Sequence, residues 1–178
     1  MLVAALSLAV ALSALLPAGA SAYAVGGKAW PGTTIRYYTA ARGYASAVNR
    51  AARIWNRAGV GVRFASSSRR SADVVVAYGT YRCAGMSPMG YGGRYAGTTV
   101  HLGAGCSDDL ITLTATHELG HVLGLNHEMS KCARLNLSSD ASGTPTRCRH
   151  HSLSYWLRHP LEPDDIAGAK TIYRRRGV

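Results

Sequence analysis

The chain is poor in acidic residues. Nine Asp and Glu stand against 20 Lys and Arg, which gives a formal net charge of +11. A balance of this kind attracts anionic partners such as nucleic acid, cell-wall polymers or lipid headgroups. Because no nucleic-acid-binding motif accompanies the charge, we expect a solvated basic surface. An anionic cell-wall or matrix surface is the candidate partner, and a specific nucleic acid is not expected.

Long apolar runs are also missing, apart from one at residues 2–16. This run is followed by Ala20-Ser21-Ala22, as in a secretory signal with cleavage after Ala22, although no Lys or Arg precedes it. About 15 residues is shorter than the roughly 20 that a membrane-spanning helix needs. We therefore predict a signal peptide at 1–22 and a secreted, extracellular protein. Residues 23–178 suffice for one domain and show no internal repeat.

Cysteines are few, and none of them forms a CxxC pair. Cys83, Cys106, Cys132 and Cys148 are even in number, and an oxidising compartment would pair them. Of the three pairings, Cys83–Cys106 and Cys132–Cys148 are favoured because each closes a local loop. A four-cysteine zinc site is the alternative, but such sites usually contain CxxC pairs.

Residue periodicity predicts an α+β domain with strands first and helices later. The predicted strands are 33–39, 60–64, 73–78 and 98–102, and the predicted helices are 44–58, 109–124 and a last one that opens at Pro163. In the first helix one apolar stripe faces the core, and Gly59 ends the helix. The second helix is apolar over most of its circumference and should therefore be central. Residues 79–97, rich in Gly, Tyr and Met, indicate no clear structure.

Residues 117–127 read HELGHVLGLNH. On a helix, His117 and His121 lie one turn apart and can bind one cation together. Glu118 is rotated by about 100° from His117, beside the cation, where it can accept a proton from a water molecule. Gly124 can adopt the positive φ that ends the helix, so His127 can turn back as a third ligand. Three protein ligands leave a position open, which is typical of a catalytic zinc site.

The full spacing makes this motif specific. HExxH alone is also compatible with an ordinary polar helix face. Gly124 and His127 at fixed distances make a chance match rare. We therefore predict that His117, His121 and His127 are zinc ligands and that Glu118 is the general base.

HExxHxxGxxH resembles the signature of the metzincin zinc endopeptidases. The chain looks most similar to the matrixin branch, of the secreted bacterial type, and 161–173 resembles the last matrixin helix. The resemblance implies one domain at 23–178 with a twisted mixed sheet of five strands, an N-terminal helix, a central zinc-binding helix and a C-terminal helix. It also implies one catalytic zinc ion and an extended polypeptide substrate paired with an edge strand. We expect a monomer; calcium is allowed for, but no residue pattern indicates it.

One position departs from the family pattern. Metzincins place a methionine in a turn beneath the zinc, and in matrixins it follows the third histidine by about eight residues. Leu135 stands at that position here. Leucine and methionine are close in volume, so the substitution should cost less than about 1.5 kcal/mol.

Several residues allow other interpretations. His150, His151 and His159 could form a second metal site, but their spacing fits no ligand template, and a solvated basic segment is favoured. Tyr155 could donate a hydrogen bond to a reaction intermediate. A catalytically silent, zinc-stabilised basic module for binding or adhesion is the alternative function. The presence of Glu118 argues against it, since a structural zinc site does not use that carboxylate.

Overall fold

The computed structural model describes residues 23–92, 99–139 and 143–174. The predicted signal peptide at 1–22 lies outside them. Within these ranges the strands are β1 (Thr34–Thr39), β2 (Arg63–Ser66), β3 (Val74–Gly79), β4 (Gly85–Met86) and β5 (Thr99–Gly103). The α-helices are α1 (Ala45–Ala58), α2 (Asp108–Leu123), α3 (Leu153–Arg158) and α4 (Pro163–Arg174). No helix in the described ranges is long and apolar enough to cross a bilayer.

The strands form one mixed sheet in the order β2-β1-β3-β5-β4. The first four of these are parallel to one another, and β4 runs antiparallel to β5. Because β4 pairs only with β5, it forms one edge of the sheet. The predicted α+β domain with a mixed sheet is confirmed.

Helix α1 packs its apolar stripe onto the core. Val48, Ala51 and Trp55 are buried, and the Trp55 indole donates a hydrogen bond to the Thr116 carbonyl of α2 at 2.8 Å. Gly59 follows the helix with φ of +59°, a conformation that only glycine adopts without strain. The two predicted features of this helix are both present.

Helix α2 is buried on nearly all sides, as its sequence predicts. Ser107 caps its N-terminus by accepting a hydrogen bond from the Leu110 N–H, and Asp108 and Asp109 lie in the first turn. Gly124 ends the helix with φ of +106°. The helix that carries the histidines is therefore held between the sheet and the C-terminal part of the chain.

Two features differ from the sequence prediction, and one predicted residue is not described. Strand β2 begins at Arg63 rather than at Val60, because Gly61 has φ of +90° and interrupts the extended backbone. Strand β4 and helix α3 were not predicted. They have two and six residues, too few for a repeating apolar pattern in the sequence. Thr98, the first residue of the predicted strand 98–102, lies outside the described residues.

Both favoured disulfides are formed. Cys83 pairs with Cys106 and Cys132 with Cys148, with Cα–Cα distances of 5.6 and 4.9 Å. The first links the segment before β4 to the start of α2. The second joins a small apolar cluster around Trp156 and Leu113 beneath α2.

Candidate metal centre

Three histidine side chains converge where α2 ends. His117 and His121 project from one face of α2, and His127 returns after the turn at Gly124. His121 Nε2 lies 3.0 Å from His117 Nε2 and 3.1 Å from His127 Nε2. The structure thus brings the three predicted ligands together around one point.

Backbone carbonyls fix the orientation of two of these rings. His117 Nδ1 lies 2.8 Å from the Arg134 carbonyl oxygen, and His121 Nδ1 lies 2.8 Å from that of Leu125. A carbonyl oxygen only accepts hydrogen bonds, so Nδ1 carries the hydrogen in both rings. Each Nε2 is left with a free lone pair directed at the common point.

The three imidazoles are neutral at pH 7. Burial lowers the pKa of His117 well below its usual value, and the positive charge of a protonated His121 would lower it further. Burial likewise lowers the pKa of His121 to about 4 and also lowers the pKa of His127. Neutral imidazole is the form that ligates metal ions.

These residues fit a zinc ion. Zinc–nitrogen bonds of about 2.0–2.1 Å at tetrahedral angles place ligand nitrogens roughly 3.3 Å apart, close to the separations in this cluster. The Nε2 lone pairs of His117 and His121 face each other without a hydrogen between them and repel, and a cation removes this repulsion. Imidazole nitrogen is also a ligand that zinc commonly takes in catalytic sites.

A second candidate cluster in the described residues does not offer the same chemistry. Cys132, His150 and His151 lie close enough together to hold an ion. The Cys132 sulfur, however, is bonded to Cys148 and is not a free thiolate. His159 is not part of this group, and its ring lies tilted against that of Tyr155, with centroids 4.6 Å apart.

Glu118 is buried beside the histidines, with 4 % of its surface exposed. Burial raises the pKa of its carboxyl to about 7, against the opposing effect of a hydrogen bond from Ser87. The Ser87 hydroxyl donates to Glu118 Oε2 at 2.7 Å. A side chain at Gly85 would overlap the same carboxylate, so glycine allows β4 to approach it.

Sequence reasoning missed both Ser87 and Gly85. They lie in the glycine-rich segment before β5, where no period or motif singles them out. The pairing of β4 with β5, and a hydrogen bond from the Gly90 N–H to the His121 carbonyl, bring this segment over α2. No local sequence pattern predicts these contacts.

The floor of the site is the turn around Leu135. Leu135 is 2 % exposed, and a methyl group on Gly120 would lie 2.9 Å from its Cδ2. The Asp165 carboxylate accepts hydrogen bonds from the N–H groups of Arg134 and Leu135 at 2.9 and 3.1 Å. Leu135 therefore packs against α2 at Gly120, the residue before His121.

The segment after His127 is tied to the same turn. The Glu128 N–H donates to the Leu135 carbonyl, and Asn136 Nδ2 donates to the Glu128 carbonyl, both at 2.8 Å. One Glu128 carboxylate oxygen accepts hydrogen bonds from Ser130 and Lys131. These contacts hold the third histidine in place, and sequence reasoning did not identify them.

The side chain of Tyr155 contacts residues outside the histidine cleft. Its hydroxyl donates to Glu162 Oε1 at 2.9 Å, and its ring stacks on His151 with centroids 3.7 Å apart. Among the described residues that line the histidine cleft, Tyr155 does not occur. A role in binding a reaction intermediate is therefore not supported by its position.

The histidines and Glu118 lie in a cleft of about 1290 Å³. Gly85, Met86 and Ser87 form one wall, next to the start of α2. Leu137, Ser138 and Ser139 lie along it on the C-terminal side of the chain. The cleft is thus bounded by the edge strand of the sheet on one side and by the segment after the floor turn on the other.

Residues 23–138 match the model of the peptidase family described as Astacin, and the match spans about two thirds of the chain. A comparison with individual curated proteins finds no match. The predicted metzincin membership is confirmed, because the astacins are a metzincin family. The matrixin branch is not confirmed, since the matching family is that of the astacins. The chain therefore belongs to the astacin family of zinc metalloendopeptidases, which hydrolyse peptide bonds with one catalytic zinc ion.

Proposed function

We propose that His117, His121 and His127 hold the catalytic zinc of this peptidase and that Glu118 is its general base. The observation that carries this proposal is the convergence of the three histidines: Nε2 of His121 lies 3.0 Å from that of His117 and 3.1 Å from that of His127. The buried carboxylate of Glu118 beside them supports catalysis rather than a purely structural zinc site. This disfavours the alternative of a silent binding or adhesion module.

Different residues of the chain have different roles in the proposed hydrolysis. A zinc ion bound here supplies Lewis-acid chemistry that acidifies water and polarises a carbonyl group. The backbone carbonyls of Arg134 and Leu125 hold the first two imidazoles in the ligating orientation. Glu118 takes the proton of the attacking water and passes it to the nitrogen of the leaving amine. Burial, which raises the pKa of its carboxyl, favours the protonated form that the second transfer needs.

We further propose that the substrate lies extended along β4. This strand forms an edge of the sheet, and Met86 and Ser87 line the cleft beside Glu118. A peptide added as a further strand would gain main-chain hydrogen bonds from β4 and bring its scissile bond to the histidines. Polypeptides are the substrates that the family implies.

Secretion and attraction to an anionic surface are also proposals. Two disulfides support an oxidising compartment, and residues 1–22 have the composition of a signal peptide ahead of a domain at 23–178. Asp73 and Asp108 each pair with an arginine, so part of the small acidic content is already neutralised. The net positive charge then favours a cell-wall or matrix polymer as a partner of a monomeric enzyme.

Metal removal tests the central part of this proposal. The pure protein should contain about one zinc per chain, lose peptidase activity with a strong chelator and regain it when zinc returns. Activity that is indifferent to chelation would refute the zinc mechanism.

Secretion needs its own experiment. The full chain expressed with residues 1–22 should appear in the medium with Tyr23 as its first residue, whereas a chain that starts at Tyr23 should stay in the cell. Retention of the full chain in the membrane fraction would contradict the proposed signal peptide.

A further inference from the structure

The segment that follows β4 is in direct contact with Glu118. The Ser87 hydroxyl donates a hydrogen bond of 2.7 Å to Glu118 Oε2. Gly85, two residues earlier, is so close that any side chain there would overlap the carboxylate. Gly85 of the edge strand and Ser87 just after that strand therefore both lie against the proposed general base.

Ser87 belongs to a segment that is held on both sides. Before it, Met86 pairs with His101 of β5. After it, the buried Pro88 restricts the backbone of Ser87 to extended conformations. Further on, the Gly90 N–H donates to the His121 carbonyl at 2.9 Å. The segment thus bridges from the sheet to α2, and this fixes where the Ser87 hydroxyl stands.

The two carboxylate oxygens of Glu118 therefore differ. Oε2 accepts the hydrogen bond from Ser87, which sets the rotation of the carboxylate. Oε1, the oxygen nearest to Gly85, accepts no hydrogen bond from the described residues. A buried carboxylate without this contact could rotate about its last side-chain bond, because that torsion is broad.

We propose that Ser87 is a positioning residue for the general base: it holds Glu118 through Oε2 and leaves Oε1 to carry the proton between water and the leaving amine. This inference rests on the proposed role of Glu118. Because Ser87 directly follows β4, the strand that would bind the substrate also orients the base.

Kinetics of Ser87→Ala test this inference. A hydrogen bond to a charged group is worth about a 10- to 100-fold effect. We expect kcat for an internally quenched peptide to fall by about that factor, with KM changed less than about two-fold and zinc content kept. Ser87→Thr retains the hydroxyl and should recover most of the lost kcat. Ser66→Ala is the matched control, since Ser66 is exposed on β2 at the opposite edge of the sheet.

A double-mutant cycle with Glu118→Gln separates action through Glu118 from an independent effect. If Ser87 acts through Glu118, then Ser87→Ala should reduce the residual turnover of Glu118→Gln no further. A full additional loss in the double variant would overturn the proposal, as would a rise in KM with unchanged kcat or a Ser87→Thr variant as impaired as Ser87→Ala. Near-normal turnover of Glu118→Gln alone would instead refute the general base itself.

Discussion

Asp165 accepts a hydrogen bond from the backbone N–H of Arg134 at 2.9 Å, and the carbonyl oxygen of Arg134 faces His117 Nδ1 at 2.8 Å. The first turn of α4 is therefore joined to a proposed zinc ligand through a single residue. The same carboxylate accepts hydrogen bonds from the N–H groups of Leu135 and Glu162. It holds the floor turn against the C-terminal helix.

Replacement of Asp165 should therefore weaken both the fold and the metal site. Asp165→Ala leaves three backbone N–H groups without their acceptor, and a buried unsatisfied donor costs about 1–3 kcal/mol. We expect the free energy of unfolding to fall by about 3 kcal/mol or more, measured with urea. We also expect zinc to dissociate faster. Asp109→Ala is the control: this exposed aspartate contributes about 0.3–1 kcal/mol at most through the helix dipole. Equal effects of the two substitutions would contradict the proposed link.

The floor position can be tested by size. Leu135→Met conserves volume and should cost less than about 1.5 kcal/mol of unfolding free energy, with peptidase activity retained. Leu135→Ala opens a cavity beneath Gly120 and should cost about 2–5 kcal/mol. Thermal or urea unfolding of both variants provides the measurement. A Leu135→Met variant as unstable as Leu135→Ala would show that this site does not accept the methionine typical of the family.

Each disulfide should stabilise the fold by closing a loop of about 20 residues, and the effect depends only weakly on the loop length. Cys132 and Cys148 are 16 residues apart and Cys83 and Cys106 are 23 apart, for which chain entropy gives about 3 kcal/mol each. Replacement of either pair by serine should lower the free energy of unfolding by about 2–5 kcal/mol. Mass mapping of the unreduced protein should show these two bridges and no free thiol. A pairing that joins the two loops to each other would contradict the structure.

The pH dependence of zinc binding follows from the lowered histidine pKa values. His121 has a pKa of about 4 and that of His117 is well below its usual value, so both are neutral in the metal-free protein at about pH 6. Zinc then displaces no proton from them. Protons come only from Glu118, whose pKa is about 7 and whose charged form the cation favours, and in part from His127.

At about pH 6, zinc affinity should therefore fall as the pH drops by the equivalent of more than one but fewer than two protons per zinc, about one from Glu118 and part of one from His127. Three histidines of ordinary pKa, together with Glu118, would release roughly three to four protons below about pH 6.5. Calorimetry at about pH 6 in buffers of different ionisation enthalpy counts the released protons. A count of three or more would show that the histidines are not neutral before the metal binds.

The helices that are long enough for their apolar pattern to repeat several times were predictable from the sequence. The apolar stripe around Trp55 predicts α1, and the apolar circumference of the helix that carries His117 predicts its central place. The metal-site candidates followed from spacing alone, because a helix brings residues four apart to one face. These predictions depend on contacts within a few residues of each other.

Contacts between distant segments were not predictable. Ser87 meets Glu118 across 31 residues, and Asp165 meets Arg134 across 31 as well. Both contacts are set by how the sheet, α2 and α4 pack, and not by a local pattern. The astacin match likewise depends on residues 23–138 taken together, whereas the zinc motif indicated only the metzincins, and the matrixin branch was predicted from the resemblance of residues 161–173 to the last matrixin helix.

The measurement that most directly tests the proposed centre is zinc per chain by elemental analysis, beside peptide hydrolysis, for Glu118→Gln and His121→Ala. Glu118→Gln should keep about one zinc, since Glu118 is not a ligand, while turnover falls by at least about 10²–10⁴-fold. His121→Ala should lose zinc and activity together, because two ligands hold the ion poorly.

His150→Ala is the control; this exposed histidine belongs to the second cluster, and its loss should change neither zinc content nor turnover. Near-normal turnover in Glu118→Gln, or one zinc per chain retained in His121→Ala, would contradict the assignment of the base or of the ligands.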